Sequence, residues 1–318
     1  MKTNLDTAVL ETREGKEAND ILRSCVHCGF CTATCPTYQL LGDELDSPRG
    51  RIYLIKELLE GKKPTEATQL HLDRCLTCRS CETTCPSGVK YGRLVDIGRN
   101  MVEKTVPRTL GDRLKRHTLE KVITNRTVFR SLITVGQIVK PALPKALKKK
   151  IPTAQKVATK WPQSNHPRKM LFLDGCVQPV LAPNINTATA QLLDRLKITL
   201  IPTSQVNCCG AVTYHLNKQT ESLVFIKQNI DAWWPLIEQG AEAIVITASG
   251  CGTMIKEYGH LLVDDPVYAK KAKTISEIAK DLCEVFTEEF ATLKDKVLEP
   301  IKQKHIAVSY THLRAHET

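Results

Sequence analysis

Aromatic residues are scarce in this chain, 5% of 318 positions, and nowhere do apolar residues run on for the 18 or so that a membrane-crossing helix needs. The first shortage points to two modest cores rather than one large one. The second excludes an ordinary transmembrane span. Residues 1–20 hold no apolar stretch of the kind a secretory signal carries, so a cytoplasmic location is expected. No G-x-G-x-x-G follows any strand-like run, so a flavin or nicotinamide would have to be carried by a partner. Acidic residues are nearly missing between Arg108 and Lys169, where sixteen Lys and Arg stand against only Asp112 and Glu120, a surplus of 14 within a whole-chain charge of +11. Such a stretch is either a solvated basic linker or a surface for an anionic membrane, an acidic protein or nucleic acid. Only Phe129 and Trp161 interrupt it, too few stacking aromatics for single-strand recognition, and a nucleic-acid partner is not expected.

Cysteine, by contrast, is plentiful: 13 residues. In a reducing compartment metal binding explains them better than a disulfide framework. Eight fall in a repeat with a constant offset of 50 residues: Cys25, Cys28, Cys31 and Cys35-Pro36, then Cys75, Cys78, Cys81 and Cys85-Pro86. Three thiolates at intervals of three residues wrap a turning backbone around one face of an iron–sulfur cubane, and the fourth must come from elsewhere. In the two-cluster ferredoxin pattern C-x2-C-x2-C-x3-C-P, the fourth cysteine of each run ligates the other cluster. That rule assigns Cys25, Cys28, Cys31 and Cys85 to one [4Fe–4S] cluster and Cys75, Cys78, Cys81 and Cys35 to a second. Pro36 and Pro86 suit a chain turning away after its ligand. Structural zinc sites use C-x2-C pairs, not triplets with a fourth cysteine before proline. Four cysteines per cluster leave no iron open for dehydratase chemistry. Two neighbouring cubanes therefore predict one-electron transfer, with no catalytic residue in this chain.

The expected fold is α+β and multidomain. Residues 1–105 read as an α-helical ferredoxin-like domain with helices over 17–24 and 66–74, and a third that starts at Pro48 after a Ser47 cap and buries Ile52, Ile55, Leu58 and Leu59. Residues 106–168 read as a basic linker with helical pieces, including an amphipathic helix over 128–139 that packs as a connector or rests on a membrane surface or partner. From 169 to 308, short apolar runs at 170–173, 198–201 and 243–247 alternate with helical patterns over 187–196, 221–239 and 274–290. That alternation predicts an α/β domain with a parallel sheet. Trp233 and Trp234 read as core or subunit interface, and Cys283 as a buried small apolar residue. Residues 309–318 do not continue the preceding pattern and read as a non-native tail, so His312 and His316 are set aside, and the chain as C-terminally truncated.

Four more cysteines fall at expected strand ends: Cys176, the pair Cys208-Cys209 before Gly210, and Cys251 in Ser249-Gly250-Cys251-Gly252. Open α/β sheets gather ligands beyond the carboxyl ends of their strands. The four are either a site for an additional cluster or a set of buried and reactive thiols. His27 and His215 lie near cysteine sites and read as hydrogen-bonding neighbours, His27 with scope to tune a cluster.

The double motif, the segment Ser47-Pro48-Arg49-Gly50-Arg51, Asp174-Gly175-Cys176, Cys208-Cys209-Gly210 and Ser249-Gly250-Cys251-Gly252 together resemble the iron–sulfur subunits of bacterial glycolate oxidases (glycolate dehydrogenases). These are cysteine-rich (CCG) domain proteins related to heterodisulfide reductase. The resemblance implies a complex with FAD-binding subunits that oxidise glycolate to glyoxylate, electrons passing through this chain toward a quinone on the inner face of the cytoplasmic membrane. Lactate and glycerol-3-phosphate dehydrogenase subunits share the architecture, and a heterodisulfide reductase-like thiol–disulfide reductase is the other alternative. The chain departs from that last pattern at Met254, where such sites have a further cysteine; the family also usually carries a second cysteine-pair domain, and this sequence stops where that is expected to begin.

Overall fold

The computed structural model describes residues 1–293 except 154, 156–159, 204 and 207. The final stretch of the expected α/β domain and the tail with His312 and His316 lie outside the described residues. The chain divides into two units, Met1–Arg113 and Leu114–Ile306.

The first unit is helical, with no strand among its described residues: α1 (Thr7–Leu10), α2 (Arg13–Ser24), α3 (Phe30–Ala33), α4 (Pro36–Leu41), α5 (Pro48–Leu59), α6 (Glu66–Asp73), α7 (Ser80–Thr83) and α8 (Tyr91–Thr105). Local chemistry sets the starts. The Thr12 and Ser47 hydroxyls accept from the N–H groups of Gly15 and Gly50, and Thr65 and Thr68 form a reciprocal capping box. Leu22, Ile55, Leu59, Leu72, Leu94 and Val95, from four helices, make the core. Gly98 lets α8 approach α5 closely, since a Cβ there would sit 2.6 Å from Ile55.

Helix α9 (Leu110–Thr124) crosses the division, and α10 (Arg126–Val139) and α11 (Lys145–Lys148) follow. Beyond them, strands β1 (Arg168–Phe172), β2 (Ile198–Pro202), β3 (Ile244–Ile246) and β4 (Ala279–Asp281) form a wholly parallel sheet in the order β2-β1-β3-β4. The intervening helices are α12 (Gln178–Leu181), α13 (Pro183–Arg195), α14 (Ala211–His215), α15 (Gln219–Glu238), α16 (Ser249–Lys256), α17 (Tyr258–Leu261) and α18 (Ala269–Ile278), with α19 (Leu282–Leu293) after β4. Both faces are covered. Met170, Phe172, Val245 and Val285 share one core with Leu193 of α13, while Leu171, Ile244 and Ile246 pack with Ile226, Ile230 and Trp233 of α15 on the other. Alternate residues of each strand thus enter different apolar layers, which is why these strands read as continuous apolar runs.

Two expectations are corrected. The helical pattern over 274–290 is broken by β4, because Ala279–Asp281 pairs with β3 and completes the sheet edge. Cys283 is exposed, not buried. Leu282 and Val285, three apart, turn inward together, which leaves the intervening Cys283 facing outward.

Candidate metal centres

Each cysteine run begins where a helix stops. Cys25 caps α2, and Cys75 follows the end of α6 by two residues. The chain then turns through left-handed positions that the repeat places identically: His27 (φ 56°) with Thr77 (54°), and Gly29 (85°) with Arg79 (57°). Three of these four are not glycine, a strained arrangement of the kind that binding sites impose. The turn directs backbone N–H groups at sulfur. Thr77 N lies 3.4 Å from Cys75 Sγ, and His27 N makes the equivalent bond to Cys25. The third cysteine of each run rides on α3 or α7, and Pro36 starts α4 directly after the fourth.

Two cavities result. One is lined by Cys25, Cys28, Cys31 and Cys85, and also by Cys81. The other is lined by Cys35, Cys75, Cys78 and Cys81. The fourth cysteine of each run therefore lies in the cavity of the other run's triplet. Cys81 and Tyr91 border both, so the cavities share a wall. The copies meet at Thr34 and Thr84, themselves 50 residues apart, whose hydroxyls lie 3.3 Å from each other.

The donor set fits iron–sulfur clusters. All 13 cysteines are free. Burial raises the thiol pKa of Cys25, and burial with the neighbouring Cys25 pushes that of Cys31 up to about 11; Cys81 is raised in the same way by burial and Cys75. Clustered thiols of this kind resist ionising together unless a cationic centre compensates them, which is what iron does. Asp43, Asp46 and His71 also approach one another. Asp46 is already engaged by Arg51 (3.3 Å), Arg74 (2.7 Å) and His71 (3.0 Å), so this group reads as a structural hub.

In the second unit the chain passes from β1 out to β2 on one side and then back across to β3 on the other, so the sheet has a switch point at the carboxyl ends of β1 and β3. Cys176 follows β1, Cys208 and Cys209 follow β2, and Cys251 sits in the first turn of α16 after β3. The structure brings all four together. Cys176 Sγ is 3.9 Å from Cys208 Sγ, and sulfur hydrogen bonds continue from Cys208 to Cys209 and from Cys209 to Cys251. The bond from Cys176 lowers the Cys208 thiol, but its bond to Cys209 and burial outweigh that and leave it pushed up to about 12. The loop is held independently of any ligand: Asn229 Nδ2 donates to the Cys208 carbonyl (2.9 Å) and Tyr258 Oη to that of Cys209 (2.8 Å).

Some neighbours had no signal in the cysteine spacing. Arg51 and Tyr91, both buried, line the second cavity, and buried Arg99 donates to the Cys75 carbonyl behind it. Arg51 belongs to a segment singled out in the sequence, but nothing there says which way it faces. His27 lines the first cavity, its imidazole pKa lowered by burial and by Arg49, with no hydrogen-bond partner for Nε2 among the described residues. His215 stacks edge-on against Tyr214 at 5.8 Å. Trp233 is fully buried in the core and Trp234 donates to Glu238 (2.7 Å).

Residues 21–89 match the family of 4Fe-4S dicluster domains, and residues 170–256 match the cysteine-rich domain family. The chain is 56% identical over 289 residues to the glycolate oxidase iron–sulfur subunit of Escherichia coli (strain K12), covering 91% of this chain and 71% of that one. It is 32% identical over 305 residues to the probable glycolate oxidase iron–sulfur subunit of Bacillus subtilis (strain 168), covering 87% and 68%. Lactate utilization protein A of Bacillus pumilus (strain SAFR-032) is 31% identical over 114 residues, only 36% of this chain and 45% of that one. No solved structure matches the chain.

Proposed function

The chain belongs to the family of glycolate oxidase iron–sulfur subunits, and from that premise we propose that it is the electron carrier of a flavin-dependent glycolate dehydrogenase. FAD-binding subunits oxidise glycolate to glyoxylate, and this chain passes their electrons toward a quinone. The observation that supports this most directly is the pair of adjacent cavities, each lined by cysteines from both copies of the repeat. In this reading Cys25, Cys28, Cys31 and Cys85 hold one [4Fe–4S] cluster and Cys75, Cys78, Cys81 and Cys35 the other. Each cluster, when bound, stores or releases one electron. The residues of this chain supply what surrounds that event: a wall shared between the sites and a fixed separation through the Thr34–Thr84 contact.

We assign residues 1–105 as the cluster domain, 106–168 as a basic helical connector and 169–308 as the cysteine-rich domain, whose Cys176, Cys208, Cys209 and Cys251 form an additional cluster site. No helix among the described residues is long and apolar enough to cross a membrane. Attachment at the inner face of the cytoplasmic membrane is instead peripheral, supported by the basic surplus of the connector and by Val128, Leu132, Val135 and Val139, exposed on one face of α10. Glycolate is favoured over lactate by the extent of the match, since the lactate-utilisation relative covers about a third of the chain.

The deciding experiment combines the anaerobically purified chain with its FAD-binding partners and follows cluster reduction by EPR after adding glycolate or lactate. Reduction by glycolate alone, only with the partners present, is expected. Reduction by lactate but not glycolate, or glycolate oxidation by the isolated chain, would sink the assignment.

A further inference from the structure

The repeat equates the two sets of ligands, but their surroundings differ. Around the second triplet, two side-chain donors reach ligand sulfur: Tyr91 Oη stands 3.6 Å from Cys75 Sγ, and Arg51 Nη1 4.0 Å from Cys35 Sγ. The Thr37 hydroxyl is also near Cys35 (3.2 Å), but its single proton is directed to the Asp46 carbonyl at 2.8 Å. Arg99 adds a buried guanidinium on the Cys75 carbonyl (2.6 Å) and the Thr77 hydroxyl (3.1 Å), with no carboxylate partner among the described residues. Arg51 and Arg74 share the one carboxylate of Asp46, so positive charge is in surplus here as well.

The first site has fewer such groups. Among the described residues no side-chain donor reaches the sulfur of Cys25, Cys28, Cys31 or Cys85. Arg49, beside Gly29, is paired with Glu44 at 2.7 Å and more than a third exposed. The terminal ammonium meets the Cys25 carbonyl (2.6 Å) in a partly solvated position. The backbone bonds from His27 and Thr77 are equivalent in the two copies and cancel. Water at the exposed Cys28 favours the reduced state of the first site. A cation in a buried setting acts through a lower dielectric and is the stronger influence.

Reduction adds negative charge to a cluster, so hydrogen bonds to its sulfurs and nearby positive charge raise its potential. We propose that, of the two clusters, the one held by Cys75, Cys78, Cys81 and Cys35 has the higher reduction potential, set by Tyr91 and Arg51 as positioning residues. One electron then passes from the cluster of the first triplet, which is oxidised, to that of the second, which is reduced, and no proton moves. This rests on the ligand assignment given above.

An EPR-monitored redox titration of the full chain tests it, with Cys78→Ser identifying the second-triplet signal. The higher-potential signal should be the one Cys78→Ser perturbs. Tyr91→Phe should lower that signal alone, changing the electron partition at least about threefold, roughly 28 mV for a one-electron couple. Arg51→Gln should move it in the same direction, and Tyr91→Phe keeps the question answerable if that variant fails to fold. Perturbation of the lower-potential signal by Cys78→Ser, or a Tyr91→Phe titration that shifts the other signal or neither, overturns the inference with the electron-carrier reading intact. Absence of two cubane signals from the unaltered chain removes that reading and the inference with it.

Discussion

Cys35 and Cys85 hold equivalent places in the two copies, yet each lines the cavity of the other copy's triplet. A single substitution therefore has a crossed effect. Cys35→Ser should destabilise the cluster of Cys75, Cys78 and Cys81 and spare that of Cys25, Cys28 and Cys31, lowering iron by about four per chain. Cys85→Ser should do the opposite. Iron and acid-labile sulfide assays with EPR check both, and loss of the cluster in the same copy as the substitution would refute the crossed assignment. Gly29 shows a different constraint at this scale. At φ 85° an added side chain is strained, and its Cβ would also lie 2.8 Å from the Arg49 guanidinium. Gly29→Ala should cost about 1–2 kcal/mol, judged from the strain of a non-glycine residue in that region, and should make the first cluster more easily lost on exposure to chelator. The same conformation at Arg79 is tolerated in the second copy, and a Gly29→Ala cluster as resistant to chelator as the original would show that neither φ nor the Arg49 contact constrains the first site.

Among the elements, α5 ties the two cysteine runs together, and its start was readable from Ser47 and Pro48 because capping is a local matter. Ser47→Ala should cost about 1 kcal/mol, the usual loss for a hydroxyl cap, seen as a lower denaturation midpoint for the first unit; an unchanged midpoint would argue that Glu44, which also meets the Ser47 hydroxyl (3.2 Å), carries the cap. Trp233→Ala in α15 should cost the second unit more, about 3–5 kcal/mol, since it empties a fully buried site. The strands β1 to β3 were legible because a sheet covered on both faces needs continuous apolar runs. Strand β4 was not, since Ala279-Lys280-Asp281 has no such run and becomes strand only by pairing with β3. Helix α8 was equally hidden, because buried Asp96 and Arg99 interrupt the apolar face that carries Leu94, Val95 and Val102. The ligands of the ferredoxin site could be read from spacing, since iron imposes spacing on its thiolates. Tyr91, Arg51 and Arg99 could not, because their approach to the second site depends on how α5 and α8 pack.

The two units of the molecule depend on iron to different degrees. In Met1–Arg113, cysteines belong to the core itself: Cys25 and Cys81 are among its buried residues, and Cys31, Cys75 and Cys85 pack against it. Between them run α3 and α7, four residues each, too short to persist without a tertiary anchor. Iron bound at both sites would cross-link residues 25 to 85 through eight thiolates, and its removal would leave mutually close thiols raised in pKa by burial. In Leu114–Ile306 Cys209 belongs to one core and Cys251 packs against it, but the core on the other sheet face holds no cysteine among the described residues, and Asn229 and Tyr258 already satisfy the Cys208 and Cys209 carbonyls. Anaerobic chelation of the full chain should thus melt the first unit and leave the second folded. Limited proteolysis should cut within residues 20–90 while a fragment spanning the sheet survives, and thermal unfolding of the iron-free chain should keep the transition of that fragment. A single transition that loses both units together would mean instead that the four cysteines at the switch point hold a ligand on which the sheet's own stability depends.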